Sequence, residues 1–433
     1  MHRILLPLCL AICATAQTSV PQTWIDEYAT ESAAAAKASN AKEYEACRQH
    51  LLRLRELLDG RVDIVYRLAQ VEAKLGNLPA ALKWLAIFSK AGLPFADPAS
   101  DADFAALRNG PDFKAIQSQL EAARKPVTAS TPFVTLPQTD LVAEDLAYDP
   151  KTRRFYVSSV RHGKILSFDE SGKTAAFLEE GQPGIWGVLA LAVDTKRRCL
   201  WATTAAMPEV LGYTAADEGR SSLLKYSLDS GRLLKRYDLA PEDKHALGDM
   251  TVSAAGDVFV SDGFGTVYWV NHVRDNLEVL VAKGTFRSPQ TPALSADGRK
   301  LFVPDYSRGI SVMDLATKSI KLLEHPPELS LGGIDGLYLS GKTMIAIQNG
   351  TKPTRLIRMQ LDGSLTRVLK WETIEANWKG LGDPTHGVIV GGDFYFIANS
   401  GWDVLGDNGA LKPGAAFTPP SIRKMPLNAP VRL

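Results

Sequence analysis

The chain has 433 residues, 45% of them apolar and 22% charged, and a formal net charge of +1. That length accommodates two domains, or one large β domain with an appendage. Lysine and arginine are spread rather than clustered, so no basic surface for nucleic acid or an anionic membrane is indicated.

The first residues read as a signal peptide over 1–16. His2 and Arg3 form a basic start, residues 4–13 are apolar, and Ala14-Thr15-Ala16 is a small-residue cleavage site before Gln17. The apolar run is too short to span a bilayer as a helix, and no other stretch would cross one. Export to the periplasm or the medium is the expectation. Leu10 stands three residues before Cys13, as in lipid-anchor signals, but Ile12 occupies a slot where those signals want a small residue. Once the signal is removed, only Cys47 and Cys199 remain. They lie in different predicted modules without metal-ligand spacing, and are read as two buried thiols rather than a disulfide.

Residues 17–125 have helical periodicity. Around Tyr66-Arg67-Leu68-Ala69 and Ala80-Ala81-Leu82-Lys83-Trp84-Leu85, apolar residues recur at three and four positions, with Leu75-Gly76-Asn77 as the turn. Gly76 suits a left-handed helix end, and Ala81 permits close helix contact. The pair resembles a tetratricopeptide repeat ending near Pro94. One such repeat cannot cover its apolar face, so helices over 43–58 and 103–123 are expected to sandwich it. The module is read either as a surface for a protein partner or as a plain helical bundle.

Residues 126–132, rich in Pro, Thr and Ser, read as a linker, after which the period changes to strands. Six first strands begin at residues 146, 191, 250, 292, 337 and 388. Each is followed by a polar turn and a bulky β-rich partner, such as Phe155-Tyr156-Val157 or Leu301-Phe302-Val303. A period of roughly 40–60 residues predicts a mainly β fold, a six-bladed β-propeller over 133–427, with residues 428–433 as a tail. The sixth unit lacks an outer strand, which Phe133-Val134-Thr135-Leu136 is placed to supply, closing the ring without an open edge.

Residues just before each first strand converge at one mouth of the central channel. That slot holds Glu144, Leu189, Gly248, Gln290, Asp335 and His386; the next holds Asp145, Ala190, Asp249, Thr291, Gly336 and Gly387. Carboxylates facing one small opening repel, so either some stay protonated or a cation sits among them. Oxygen ligands favour a hard ion, Ca²⁺ first and then Mg²⁺ or Mn²⁺, over Zn²⁺. His386 reads as a base or a substrate ligand. Loops 205–220 and 400–419, with those around Trp186 and His245, are expected to roof a pocket on this face. Asp262 and Asp305, ending second strands, read as turn residues that accept backbone amides.

Three motifs carry a likeness to a known family: Gly248-Asp249-Met250-Thr251-Val252, Ser288-Pro289-Gln290-Thr291-Pro292 and Ile334-Asp335-Gly336-Leu337. With Glu144 ahead of the first blade, residues 133–427 resemble the regucalcin/gluconolactonase six-bladed propellers. The resemblance implies one divalent ion held by Glu144, Gln290 and Asp335, with Asp335 also the general base. Gln290 replaces the family's Asn, Thr291 its usual Gly, and Gly248 a common substrate-contacting Asn. The implied function is metal-dependent hydrolysis of a lactone or related ester. In such an enzyme His386 is expected to join Asp335 in catalysis, and Asp145, Asp249, Trp186 and His245 to bind a small-molecule substrate. The alternative is a non-catalytic propeller that binds a ligand or protein, with a structural metal or none.

Overall fold

The computed structural model describes residues 23–428; the expected signal peptide and nearly all of the tail lie outside them. The helical module contains α1 (Trp24–Asn40), α2 (Tyr44–Leu57), α3 (Val62–Lys74) and α4 (Leu78–Lys90). A capping box starts α1, with Thr23 and Asp26 satisfying each other's backbone amides. Ala35 and Ala38 are buried opposite Cys47 and Leu51, so small side chains let α1 and α2 approach closely. Gly76 ends α3 at φ 78°, as its position suggested. The α3–α4 pair closes over an aromatic nest in which Tyr66 lies 4.9 Å from Phe88 and 5.7 Å from Phe104. The helix expected over 103–123 is instead two pieces, a 3₁₀ turn (Ala102–Leu107) and α5 (Pro111–Ala123). Pro111 lacks an amide hydrogen, which suits a helix start but not a helix interior. Cys47 and Cys199 are both buried free thiols. No described helix is long and apolar enough to cross a membrane.

The rest is a six-bladed β-propeller, and the fold is mainly β. Blade 1 consists of Ala143–Asp149, Arg154–Ser159, Lys164–Phe168 and Thr174–Leu178 in antiparallel order. Blades 2, 3, 4 and 5 repeat it from Gly187–Asp194, Leu247–Val252, Ala293–Leu294 and Gly336–Ser340. Blade 6 has three strands of its own, Gly387–Val390, Asp393–Ile397 and Ser421–Pro426. Its fourth is Thr131–Thr135, paired with Ser421–Pro426, so the ring closes as the sequence pattern indicated.

An apolar cluster fills each seam between neighbouring blades. Phe302 with Met344 and Ile357 joins blades 4 and 5, and Phe155 with Tyr395 and Ile397 joins blades 1 and 6. The bulky residues of the second strands are therefore the packing between blades.

Residues 126–132 are not a free linker. Val127–Thr128 adds a fifth strand to blade 5, and Glu375 accepts from the amides of Ala129 and Ser130 at 2.8 and 2.7 Å. A buried carboxylate answering two backbone donors fixes this crossing.

The helical module rests on the face where the first strands begin, over blades 3 to 5. Trp24 Nε1 donates to the Thr285 carbonyl at 2.8 Å, and the Arg308 guanidinium lies 4.7 Å from the Trp24 ring. His325 Nε2 is 3.1 Å from Asp59 Oδ2. Asn377 Nδ2 donates to the Ala123 carbonyl at 2.8 Å. Arg355 is fully buried at this junction and donates to the Ala91 carbonyl and to Gln348 Oε1, both at 2.7 Å. Burial without a carboxylate partner pulls its guanidinium down to about 9.

Candidate functional site

First strands enter the channel side by side, and a repeated hydroxyl holds them there. Ser158 in the second strand of blade 1 takes the amide hydrogen of Asp145 at 2.9 Å and donates to the Leu189 carbonyl of blade 2 at 2.5 Å. Thr203 does the same between Ala190 and Gly248 of blade 3, at 2.9 and 2.7 Å. Ser261 reaches the Gln290 carbonyl ahead of blade 4 at 2.7 Å. Each hydroxyl ties down the backbone at the slot of the next blade, here at Leu189, Gly248 and Gln290.

Glu144, Asp335 and His386 converge, each offering a ligand atom within 4.8 Å of the others. All three are less than a tenth exposed. His386 Nδ1 is 3.0 Å from the Glu144 carbonyl oxygen, which fixes the ring and aims Nε2 toward the acids. Nε2 is 3.1 Å from Asp249 Oδ1 and 3.9 Å from Asp335 Oδ1. The line to Asp249 lies off the ring's N–H direction, so the contact is an ion pair and Nε2 has no aligned hydrogen bond. Trp402 Nε1 donates to Glu144 Oε2, and Asn349 Nδ2 donates to Asp335 Oδ2 at 2.5 Å. Tyr306 donates onward to Asn349 Oδ1 at 3.1 Å.

Electrostatics follow from crowding acids out of water. Burial drives Glu144 well above the usual carboxylate range despite the opposing pull of His386, and nearby Asp335 adds to the rise. Burial takes Asp335 up to about 6 and Asp145 up to about 7. Asp383, near Asp335, is also pushed to about 7 by burial. Burial disfavours the His386 cation, yet Asp249, Asp335 and Glu144 together raise it well above its ordinary value. Protons would be displaced from this cluster by any cation that enters it.

The expected residues divide into three groups. Glu144, Asp335, His386 and Asp249 come together at the axis. Asp145 lies one residue deeper, accepting from the amides of Leu146 and Leu191, both at 2.7 Å, so it also ties blade 1 to blade 2. The others are engaged elsewhere. Gln290 donates Nε2 to Ser288 Oγ at 2.9 Å, and His386 brings an imidazole to the two carboxylates. The side chains that converge are thus two carboxylates and an imidazole, where oxygen donors alone were expected. His245 pairs with Asp262 Oδ2 at 2.6 Å. Trp186 lines an outer groove with Arg220, whose guanidinium is 6.0 Å from its ring. Asp262 and Asp305 accept backbone amides in turns, as read from the sequence.

The loops expected to frame a pocket shut the mouth over blades 1, 2 and 6. Trp402 and Phe417 from residues 400–419 pack with Met207, Val210 and Tyr213 from residues 205–220 above Val142 and Leu189. Gly409 lies at φ 72° so close to the Pro208 carbonyl that any Cβ would collide. Over blades 3 to 5 the helical module completes the roof.

Among the described residues, two cavities flank this roofed cluster. One, of about 350 Å³, opens at the seam between module and propeller and is lined by Arg61, Phe95, Tyr306, Gly333, Gly350 and Lys352. A Cβ at Gly350 would sit 2.5 Å from the Tyr306 ring, so this glycine is what lets Tyr306 lie at the cavity wall. The second, of about 510 Å³, is the axial channel, reached from the opposite face. Sequence reasoning missed Tyr306 and Trp402, which act through a neighbour or an insertion and follow no repeat.

No protein-family model matches the chain, and no curated protein matches it. Among solved structures, it is similar to a chain of a nidogen/laminin complex, at 15% identity and TM-score 0.42, covering 55% of this chain and 82% of that one. It is also similar to hydrazine synthase of Kuenenia stuttgartiensis, at 12% identity and TM-score 0.43, covering 61% and 75%.

Proposed function

We propose that the propeller holds one divalent cation between Glu144, Asp335 and His386 and is a metal-dependent hydrolase of a small ester or lactone, as its likeness to the gluconolactonase propellers implies. The observation that carries this reading is the convergence of two carboxylates and an imidazole at the axis, with Nε2 of His386 lacking an aligned partner. The residues fit such an ion: four buried acids, Glu144, Asp145, Asp249 and Asp335, have the His386 imidazole as their one cationic neighbour among the described ion pairs. A mixed nitrogen and oxygen set suits Zn²⁺ or Mn²⁺ better than Ca²⁺. When bound, the ion would supply Lewis acidity toward an acyl oxygen and an acidified water. Asp335, held by Asn349, is the carboxylate placed to take up and release a proton as general base. His386 fixes the acids through Asp249, and Tyr306 at the seam cavity is where a substrate would meet the relay leading to Asp335. Export fits this reading, as does a role for the helical module as a wall of the site.

The closed roof favours a second reading, a ligand- or protein-binding propeller with a purely structural ion. Elemental analysis of the purified chain, with an ester and lactone screen on wild type and Asp335→Ala, separates them. Bound metal with hydrolysis abolished by the substitution supports the enzyme. Bound metal without hydrolysis supports the second reading. Hydrolysis unchanged in Asp335→Ala overturns the assigned chemistry.

A further inference from the structure

The seam cavity has two unlike walls. The helical module supplies an apolar one from Val62, Leu93 and Phe95. The Phe95 ring is 41% exposed although it packs edge-on against Tyr66 and Phe88. The propeller supplies a polar wall, from the turn after the second strand of blade 4 and the loops before and after the first two strands of blade 5. That wall is hollow because glycines build it. A Cβ at Gly333 would lie 2.8 Å from the Gly350 backbone, and one at Gly332 would lie 3.1 Å from the Arg61 stem.

The charge around the cavity is one-sided. Besides Tyr306, its ionisable lining residues are Arg61, Asp63 and Lys352. Asp63 is occupied by Nε and Nη2 of Arg61, at 2.9 and 3.0 Å. Arg61 Nη1 and the Lys352 ammonium are therefore left as unpaired donors among the described residues. Ser330, also in the lining, is only 3% exposed; its hydroxyl has no partner among the described residues and is not sealed from solvent. An anion is what two surplus cationic donors and an unpaired hydroxyl lack.

We propose that the seam cavity binds small aryl carboxylates and selects, as the substrate of the hydrolase, an aryl ester that carries one. Lys352 holds the carboxylate at the rim, with Arg61 Nη1 and Ser330 as further donors, while the ring packs on Phe95 and Leu93. The acyl group points to Tyr306. Charge sets this orientation, because Asp335 stands behind Tyr306 through Asn349, at 3.1 and 2.5 Å, and turns the anionic end outward. A cationic ligand would meet Lys352 and Arg61 with no free carboxylate to answer it. A cavity of about 350 Å³ suits a molecule with one ring. Water breaks the acyl C–O bond, giving the acyl acid and a hydroxyaryl carboxylate, with no other reactant. The selection rests on the hydrolase reading for the reaction and not for binding.

Titration calorimetry on the purified protein tests this with three probes of one shape: 4-acetamidobenzoate, 4-acetamidobenzamide and 4-acetamidobenzylamine. The acid should bind one to one and at least about 10-fold tighter than the neutral amide, the worth of one charge-assisted hydrogen bond, and the amine should bind weakest. Lys352→Met, at an exposed position, should remove most of the acid's advantage. Phe95→Ala should weaken acid and amide alike by about 10-fold, with circular dichroism confirming the fold. Equal affinity for acid and amide, no binding by any probe, or an acid preference undiminished in Lys352→Met overturns the proposal. Turnover of 4-acetoxybenzoate and 4-acetoxybenzamide in the same samples separates the two readings. Charge-selective binding without turnover of either ester sinks the hydrolase and leaves the binding site. Turnover that favours neither ester sinks the selection and leaves the hydrolase.

Discussion

The two ends of the axial channel are built from the same six strands and yet are opposites. At one end, slot residues bring Glu144, Asp335 and His386 together under a roof of insertions and helices. At the other, the same strands diverge into short polar turns and leave an open apolar tube. Repetition gives the ring its form, and departures from repetition give each end its chemistry. The acids and the imidazole come from blades 1, 3, 5 and 6, while the corresponding slots of blades 2 and 4 hold Leu189, Ala190, Gln290 and Thr291.

That contrast can be broken at its polar end first. Asp335→Ala should remove a ligand and the general base together, lowering hydrolysis by about 10²- to 10⁴-fold and reducing bound metal well below one equivalent. Rate and elemental assays on one preparation check both. Next in size, Arg355→Ala should cost about 1–3 kcal/mol for each buried acceptor it strands, the Ala91 carbonyl and Gln348 Oε1. Urea unfolding would show this, with the helical module losing its anchor on blade 5.

Acidity provides a third test. Asp335, Asp145 and Asp383 have folded values near 6, 7 and 7, against 3.8 when unfolded. A carboxyl whose folded value is raised favours the folded state while it is protonated in both states. That advantage is lost as pH rises from about 4 through about 7. The melting temperature of chelator-treated protein should therefore fall across that window, and excess Zn²⁺ or Mn²⁺ should flatten the slope. A slope unchanged by metal would disconnect the cluster from cation binding. The smallest expected effect is at the hydroxyl latch. Thr203→Val should destabilise by about 1–2 kcal/mol, since it leaves the Ala190 amide and the Gly248 carbonyl without their shared partner. Thermal melting would show this.

Much of this was legible in the sequence because it is periodic. First strands at 146, 191, 250, 292, 337 and 388 put the slot residues in register, so Glu144, Asp335 and His386 could be placed at one axis before any coordinates. Ring closure by residues 133–136 followed from a missing strand and the cost of an open edge. What stayed hidden depends on single contacts without a period. Nothing around Gln290 signals that its amide turns to Ser288, and nothing around Val127-Thr128 distinguishes an edge strand from a linker until Glu375 is seen across from it. The docking of the helical module is of the same kind. It rests on isolated side chains such as Trp24 and Arg355, far apart in the chain and individually unremarkable in composition.

Ring closure by residues 131–135 also sets the order of assembly. The strand that completes blade 6 is made early, but its partner, residues 421–426, is among the last of the described chain to be synthesised. Until then an early edge must wait unpaired. Maturation of the toroid is therefore gated by the ribosome finishing nearly the whole polypeptide, and a truncation near residue 420 should leave a ring unable to seal.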